Sequence, residues 1–337
     1  MSNLGRKILR IIYWNSCMCL RSAVAIALIS LAAVASAEIY RWTDANGKVH
    51  FGDRPPPQVE KETVEVEPTP VWRGFDIRLT YSDAFSQTLP SDDSVALLDG
   101  ERIEQDVNRV YRFFDQILFV DFYRKVPVSI HVLANQREYR QYLASQVKGS
   151  VPPSLGVYLH DRHQIVVYLH PSRYGGVEST YRTIKHETSH AILASIAQRM
   201  PAWLNEGLAE QMEMLEYDDQ QRFVIHQHGS NRQQILAQRQ LMPVREFVEI
   251  NNMTWRRQNL DQAVHQAMAG QLVYLSLSKN YGRSFITRLV QEYKRGYRQT
   301  AYYLLDEHYI GGGAALNVHW QAWRSQRMTE PSRIVFN

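Results

Sequence analysis

His186-Glu187-Thr188-Ser189-His190 constrains this chain more than any other segment. Its neighbours Ile184, Ala191, Ile192 and Ile196 recur at helical spacing, and Glu178-Ser179-Thr180 supplies a helix start. At about 3.6 residues per turn, positions 186 and 190 lie one above the other on a single helical face. A largely apolar helix has little reason to carry two imidazoles and a carboxylate inward unless they share an ion. An exposed polar stripe is the competing account. Pro201 suits the first turn of a second helix, and fifteen residues separate His190 from Glu206. That is enough chain to finish one helix, turn, and bring back a carboxylate. Two histidines and a glutamate are an established catalytic zinc set that leaves a coordination position for water. Glu187, beside the ligand face, can take a proton from that water instead of ligating. Glu210, four residues beyond Glu206, shares its face; it either hydrogen-bonds a ligand histidine or stands as a solvated helix carboxylate.

Charge places this chemistry outside the cytoplasm. Arg6, Lys7, Arg10 and Arg21 precede an apolar run from Ala23 to Ala35, and no acid occurs before Glu38. Ala35-Ser36-Ala37 then offers small residues for cleavage, so residues 1–37 read as a signal peptide cut near Ala37. The run is shorter than the roughly 20 apolar residues of a membrane span, which favours a cleaved signal over a permanent anchor. Met18-Cys19-Leu20-Arg21 ahead of the same run offers an alternative start. Removing residues 1–37 takes Lys+Arg from 38 to 34 against 34 acids, so the net charge of +4 resides in the signal and gives no argument for nucleic acid. Cys17 and Cys19 are lost with it. The exported chain can then form no disulfide, and any zinc must be held by nitrogen and oxygen. Periplasmic or secreted is the expected location.

The remainder reads as α+β. Two β-rich runs flank Asn46-Gly47 between Glu38 and Phe51, the pattern of a hairpin, ended by Asp53-Arg54-Pro55-Pro56-Pro57. Residues 58–72 alternate charged and apolar positions and read as a linker with an edge strand. Strands are expected at 126–133, 156–159 and 164–170, the last two joined by the polar turn His160-Asp161-Arg162-His163. Helices are expected at 101–118, 136–147, 178–199, 202–217, 231–239, 261–279, 283–295, 299–308 and 314–327. A small mixed sheet would thus be followed by a mostly helical half. His226 and His228 share a strand face but lack a third ligand, and a solvated strand is the simpler account. Trp320 and Trp323 read as helix packing, Tyr274 and Tyr281 as core. His160, His163 and His170 flank the strand at 164–170 and either touch a substrate or are loop polarity.

Two resemblances sharpen this. Glu38-Ile39-Tyr40-Arg41-Trp42-Thr43-Asp44 through Asp53-Arg54-Pro55-Pro56 resembles a short domain of unknown function found behind the signals of bacterial envelope proteins. That likeness spans residues 38–66 and implies an envelope location and a partner contacted through this module. His186–His190 followed by Trp203-Leu204-Asn205-Glu206-Gly207 resembles the gluzincins, in particular bacterial peptidase-MA-like domains, over residues 75–330 after a linker at 67–74. The resemblance implies a zincin-like fold and Zn²⁺ on His186, His190 and Glu206. It makes Glu187 the general base, peptides or proteins the substrate, and Gln164–Leu169 the edge strand lining the substrate groove. In the peptidase-MA-like pattern a tyrosine often stands nine residues before the aromatic of the segment found here as Leu272-Val273-Tyr274-Leu275, where it stabilises the oxyanion. In this chain His265 holds that place. No aminopeptidase-type motif reads a free N-terminus, which points to an endopeptidase. The alternatives are a catalytically inactive binding module of the envelope and a zinc hydrolase of a non-peptide cell-wall amide.

Overall fold

The computed structural model describes residues 39–44, 47–52, 55–64, 77–83, 98–122, 128–146, 153–228, 236, 240–257, 262–325 and 332–336. The expected signal (1–37) and linker (67–74) lie outside them, and of the helix expected at 231–239 only Leu236 is described, in helical conformation. The architecture is α+β, with strands and helices in both orders and a small antiparallel module near the N-terminus. The chain divides into two units, residues 1–70 and 71–337.

In the first unit, β1 (Ile39–Thr43) is the middle strand of an antiparallel sheet, flanked by β2 (Val49–Gly52) and β3 (Lys61–Val64). The β1–β2 register pairs Thr43 with Val49, so the loop is longer than an Asn-Gly turn alone. Asp44 explains it: its carboxylate accepts from the Lys48 amide at 3.0 Å and meets His50 Nε2 at 2.8 Å, tying both ends of the loop together. Trp42 stacks on His50, with ring centroids 5.6 Å apart. The third strand, β3, falls within the charged, alternating stretch that follows the prolines.

The second unit starts with a four-stranded sheet, β4 (Ile77–Tyr81), β5 (Val128–Leu133), β6 (Gly156–Leu159) and β7 (Gln164–Tyr168), in the order β4-β5-β7-β6. The first three positions run parallel, and the β6–β7 hairpin adds an antiparallel edge. Parallel neighbours need long crossovers, and α1 (Gly100–Gln116) and α2 (Gln136–Gln146) lie in them. The N-terminus of α1 is capped by Asp99, whose carboxylate accepts from the amides of Glu101 and Arg102. One sheet face packs against α2 through Tyr139, Leu143, Val166 and Tyr168, while the other joins the main core.

The structure corrects one expectation here. Gln164–Leu169 does not form the edge: β7 lies between β5 and β6, and Ile165 to Tyr168 are all buried. An unbroken apolar run marks a strand covered on both faces, whereas Gly156-Val157-Tyr158-Leu159 alternates buried and half-buried positions as an edge strand does.

The helical half comprises α3 (Gly176–Ile196), α4 (Ala202–Glu213), α5 (Val244–Glu249), α6 (Asn252–Arg257), α7 (Gln262–Leu277), α8 (Asn280–Lys294), α9 (Tyr302–His308) and α10 (Gly312–Ser325). The helix expected over 202–217 stops at Glu213, and β8 (Leu215–Tyr217) and β9 (Phe223–His226) follow as a hairpin. Its turn is built by Asp218, whose Oδ1 accepts from the amides of Gln220 and Arg222, and by Gln221 in the left-handed region. A last strand, β10 (Arg333–Val335), joins the outer side of β9 and lies beyond the expected end of the domain at 330.

Candidate metal centre

α3 and α4 pack side by side, and their contact is organised by the Trp203-Leu204-Asn205-Glu206-Gly207 run. Trp203 and Leu204 are buried and anchor the helix in the core. Gly207 lets α7 cross closely: a Cβ there would stand 2.5 Å from Val273 Cγ2 and 2.7 Å from the Ala269 carbonyl oxygen. With α4 so fixed, Asn205 and Glu206 face α3.

His186 and His190 stack one turn apart, ring centroids 4.7 Å from each other and nearly perpendicular. Glu206 spans them, with Oε2 3.6 Å from His186 Nε2 and Oε1 3.7 Å from His190 Nε2. All three offer a ligand atom within 4.8 Å of the others, so the set could hold a metal ion. Tetrahedral geometry at ordinary zinc–ligand bond lengths puts donors about 3.3 Å apart. The observed separations approach that value and exceed a normal hydrogen bond.

Each histidine is held from behind. His190 Nδ1 lies 3.1 Å from Asn205 Oδ1, and an amide oxygen only accepts, so Nδ1 carries the proton and Nε2 is left to ligate. His186 Nδ1 lies 2.6 Å from Glu213 Oε1, a shorter, charge-assisted bond with the same consequence. Burial alone would lower the His186 pKa, but the carboxylates of Glu206 and Glu213 reverse the effect and raise it well above the ordinary value. Burial would raise Glu206, yet the two histidines hold it below the usual carboxylate range. Burial would raise Glu213 as well, and its bonds to His186 and His228 outweigh that.

Glu187 is the exception among these carboxylates. It is 6% exposed, and burial raises its pKa despite the nearby histidines. A carboxylate with raised proton affinity at the edge of such a set suits proton transfer better than ligation. The backbone of β6 runs beside it. A Cβ on Gly156 would come within 3.2 Å of Glu187 Cγ and 2.5 Å of Thr183 Cγ2, so only glycine lets the edge strand lie this close to α3. His170 tethers the entrance of that strand, Nε2 3.1 Å from the Leu155 carbonyl oxygen and Nδ1 3.0 Å from Ser179 Oγ.

The structure thus brings His186, Glu187, His190 and Glu206 together and sorts the remaining expectations. Glu210 is fully buried, which overturns the solvated reading. It packs on Gly270 of α7, and its Oε2 lies 3.4 Å from His228 Nε2. Glu213 makes a hydrogen bond to His186, and Glu210, Glu213 and His186 also offer ligand atoms within 4.8 Å of one another. Glu206, Glu210 and Glu213 recur at i, i+4 and i+7, and that spacing was the available sign of a third acid on this face. His228 reaches in from the end of the hairpin to 3.2 Å from Glu213 Oε2, so it is not solvated strand, while His226 pairs with the exposed Glu216. His265 is buried on α7 with Trp255 and Phe247, ring centroids 5.5 and 6.1 Å away, and is outside the convergent set. Tyr274 and Trp320 are core, as read from sequence, whereas Tyr281, also expected in the core, is 36% exposed in the first turn of α8. His163 bonds Tyr158 Oη through Nδ1.

Residues 26–71 match a domain of unknown function, DUF4124. The match covers the N-terminal sheet and stops short of every residue in the candidate metal centre. None of the curated proteins matches the chain. Among the described residues, no helix is long and apolar enough to cross a membrane.

Proposed function

We propose that this chain is an exported zinc-dependent peptidase of the gluzincin type, with Zn²⁺ on His186, His190 and Glu206. The observation that carries the reading is the convergence of these three donors from two helices, each histidine held through Nδ1 so that Nε2 faces Glu206. The absence of cysteine from the expected mature chain limits the choice to a nitrogen and oxygen site, which borderline-soft zinc accepts.

Bound zinc would supply Lewis acidity and lower the pKa of water toward about 7. Glu187 takes the proton of the attacking water and delivers it to the leaving amine. An extended peptide adds to the open side of β6, where main-chain pairing needs no particular side chain and Gly156 brings the backbone next to Glu187. The missing aminopeptidase-type motif, together with pairing along the β6 edge, favours an endopeptidase. The DUF4124 segment and the export signal fit an envelope location.

The packing of His265 among aromatic rings favours one competitor, a centre that binds metal and peptide without turnover. The same attacking water would also serve a cell-wall amide. The test is cleavage of a proteome-derived peptide pool and of isolated cell wall by the metal-loaded protein, before and after chelation. Peptide products that vanish with chelation and return with zinc support the peptidase. Stoichiometric zinc with no product from either substrate leaves the binding module, and full activity after complete chelation rules out the metal mechanism.

A further inference from the structure

A polar cavity in the second unit is lined by none of the candidate metal-centre residues. It measures roughly 440 Å³ and is lined by Ser278, Asn280, Arg283, Arg333, Ile334 and Val335. The turn before α8, the first turn of α8 and the outer strand β10 meet there. Among the described residues, two guanidinium groups line it and no carboxylate does.

Arg283 is the informative residue. Among the described residues no acid forms an ion pair with it, and burial alone pushes its guanidinium below the ordinary value. Its Nε–H is buried with no acceptor. A buried donor without an acceptor is costly, and more so on a charged group. The Phe336 ring, 4.5 Å from the guanidinium carbon, holds the planar group in place. Arg333 is exposed on β10 and likewise has no acidic partner among the described residues.

The backbone adds donors on the same side. No side chain caps the N-terminus of α8, and its first turn carries no acid. Among the described residues β10 pairs with β9 alone, through Ile334 opposite Ile225, with Phe336 donating to the Phe223 carbonyl and Gln227 to that of Ser332. Alternation then turns the amides of Arg333 and Val335 to the open edge.

We propose that this cavity binds a compact oxyanion, a carboxylate or phosphate group gripped by Arg283 and Arg333. Planar guanidinium forks match the oxygen spacing of both groups. The source is either free phosphate or the terminal carboxylate of a peptide running along β10. The site is independent of the metal reading and would persist if that reading failed.

Titration calorimetry on the zinc-free mature chain, in phosphate-free buffer, separates the sources. Inorganic phosphate is one titrant; a short N-acetylated alanine–valine peptide, as free acid and as C-terminal amide, is the other. Saturable one-to-one binding of phosphate, or of the free acid in preference to the amide, is the expected result. Arg333→Gln should weaken it about tenfold, the loss of one charged hydrogen-bond donor, and Arg283→Gln should abolish it. Because Arg333 is exposed, its variant decides the matter if Arg283→Gln does not fold. No saturable binding of either anion, or binding unchanged in Arg333→Gln, overturns the proposal.

Discussion

The two histidines of the proposed centre sit one helical turn apart and are supported in opposite ways. His190 leans on Asn205, a neutral amide next to the ligand Glu206, so its support never leaves the α3–α4 pair. His186 leans on Glu213, a carboxylate eight residues along α4 from Asn205, and Glu213 is itself held by His228 beyond β9. The difference teaches that one ligand is locally fixed and the other is coupled to the hairpin. A carboxylate partner also makes its imidazole a stronger electron donor than an amide partner does.

The largest expected effect is on turnover, and it is common to both sides. Glu187→Gln should lower the peptide cleavage rate by about 10²- to 10⁴-fold while zinc content stays at the wild-type level, because Glu187 is not among the ligands. Next, Glu213→Ala should weaken zinc binding by about 10- to 100-fold, read by competition with a chromophoric chelator. Asn205→Ala should weaken it less; equal losses would dissolve the contrast between the two histidines. His228→Gln is expected to cost severalfold in zinc affinity, about as much as partial loosening of Glu213 allows. An unchanged affinity would confine the centre to its two helices.

Packing makes a separate, smaller claim about how α4 is held. Gly207→Ala forces a Cβ against the Ala269 carbonyl and Val273. Overpacking of this kind destabilises by about 1 to 3 kcal/mol, measurable as a lower Tm in the zinc-free protein. A Tm at or above wild type would mean that α7 shifts without cost.

What the sequence disclosed follows from distance along the chain. His186, Glu187 and His190 share one helix, so local periodicity aligned them, while Glu206 on the next helix was reached through its distance along the chain and the likeness carried by Trp203-Leu204-Asn205-Glu206-Gly207. Glu213 is seven residues past Glu206 on the same helix, so its place on this face was legible from spacing, but its bond to His186 across to α3 was not. His228 needs the β8–β9 turn built by Asp218 and Gln221, a tertiary event with no helical period to announce it. The exchange of β6 for β7 at the sheet edge has the same origin. Both segments read as strands, and only burial on one face or two tells them apart. In the N-terminal unit the hairpin was legible from its turn, and the charged alternation over 58–72 already marked the edge strand found as β3.

The central claim is that His186, His190 and Glu206 hold one zinc ion. Elemental analysis of the purified mature chain and of His190→Ala tests it directly, with circular dichroism confirming that both are folded. The account predicts close to one zinc per wild-type chain and almost none in the variant. A wild-type protein that takes up no zinc when it is supplied, or a folded His190→Ala that keeps its full complement, contradicts it.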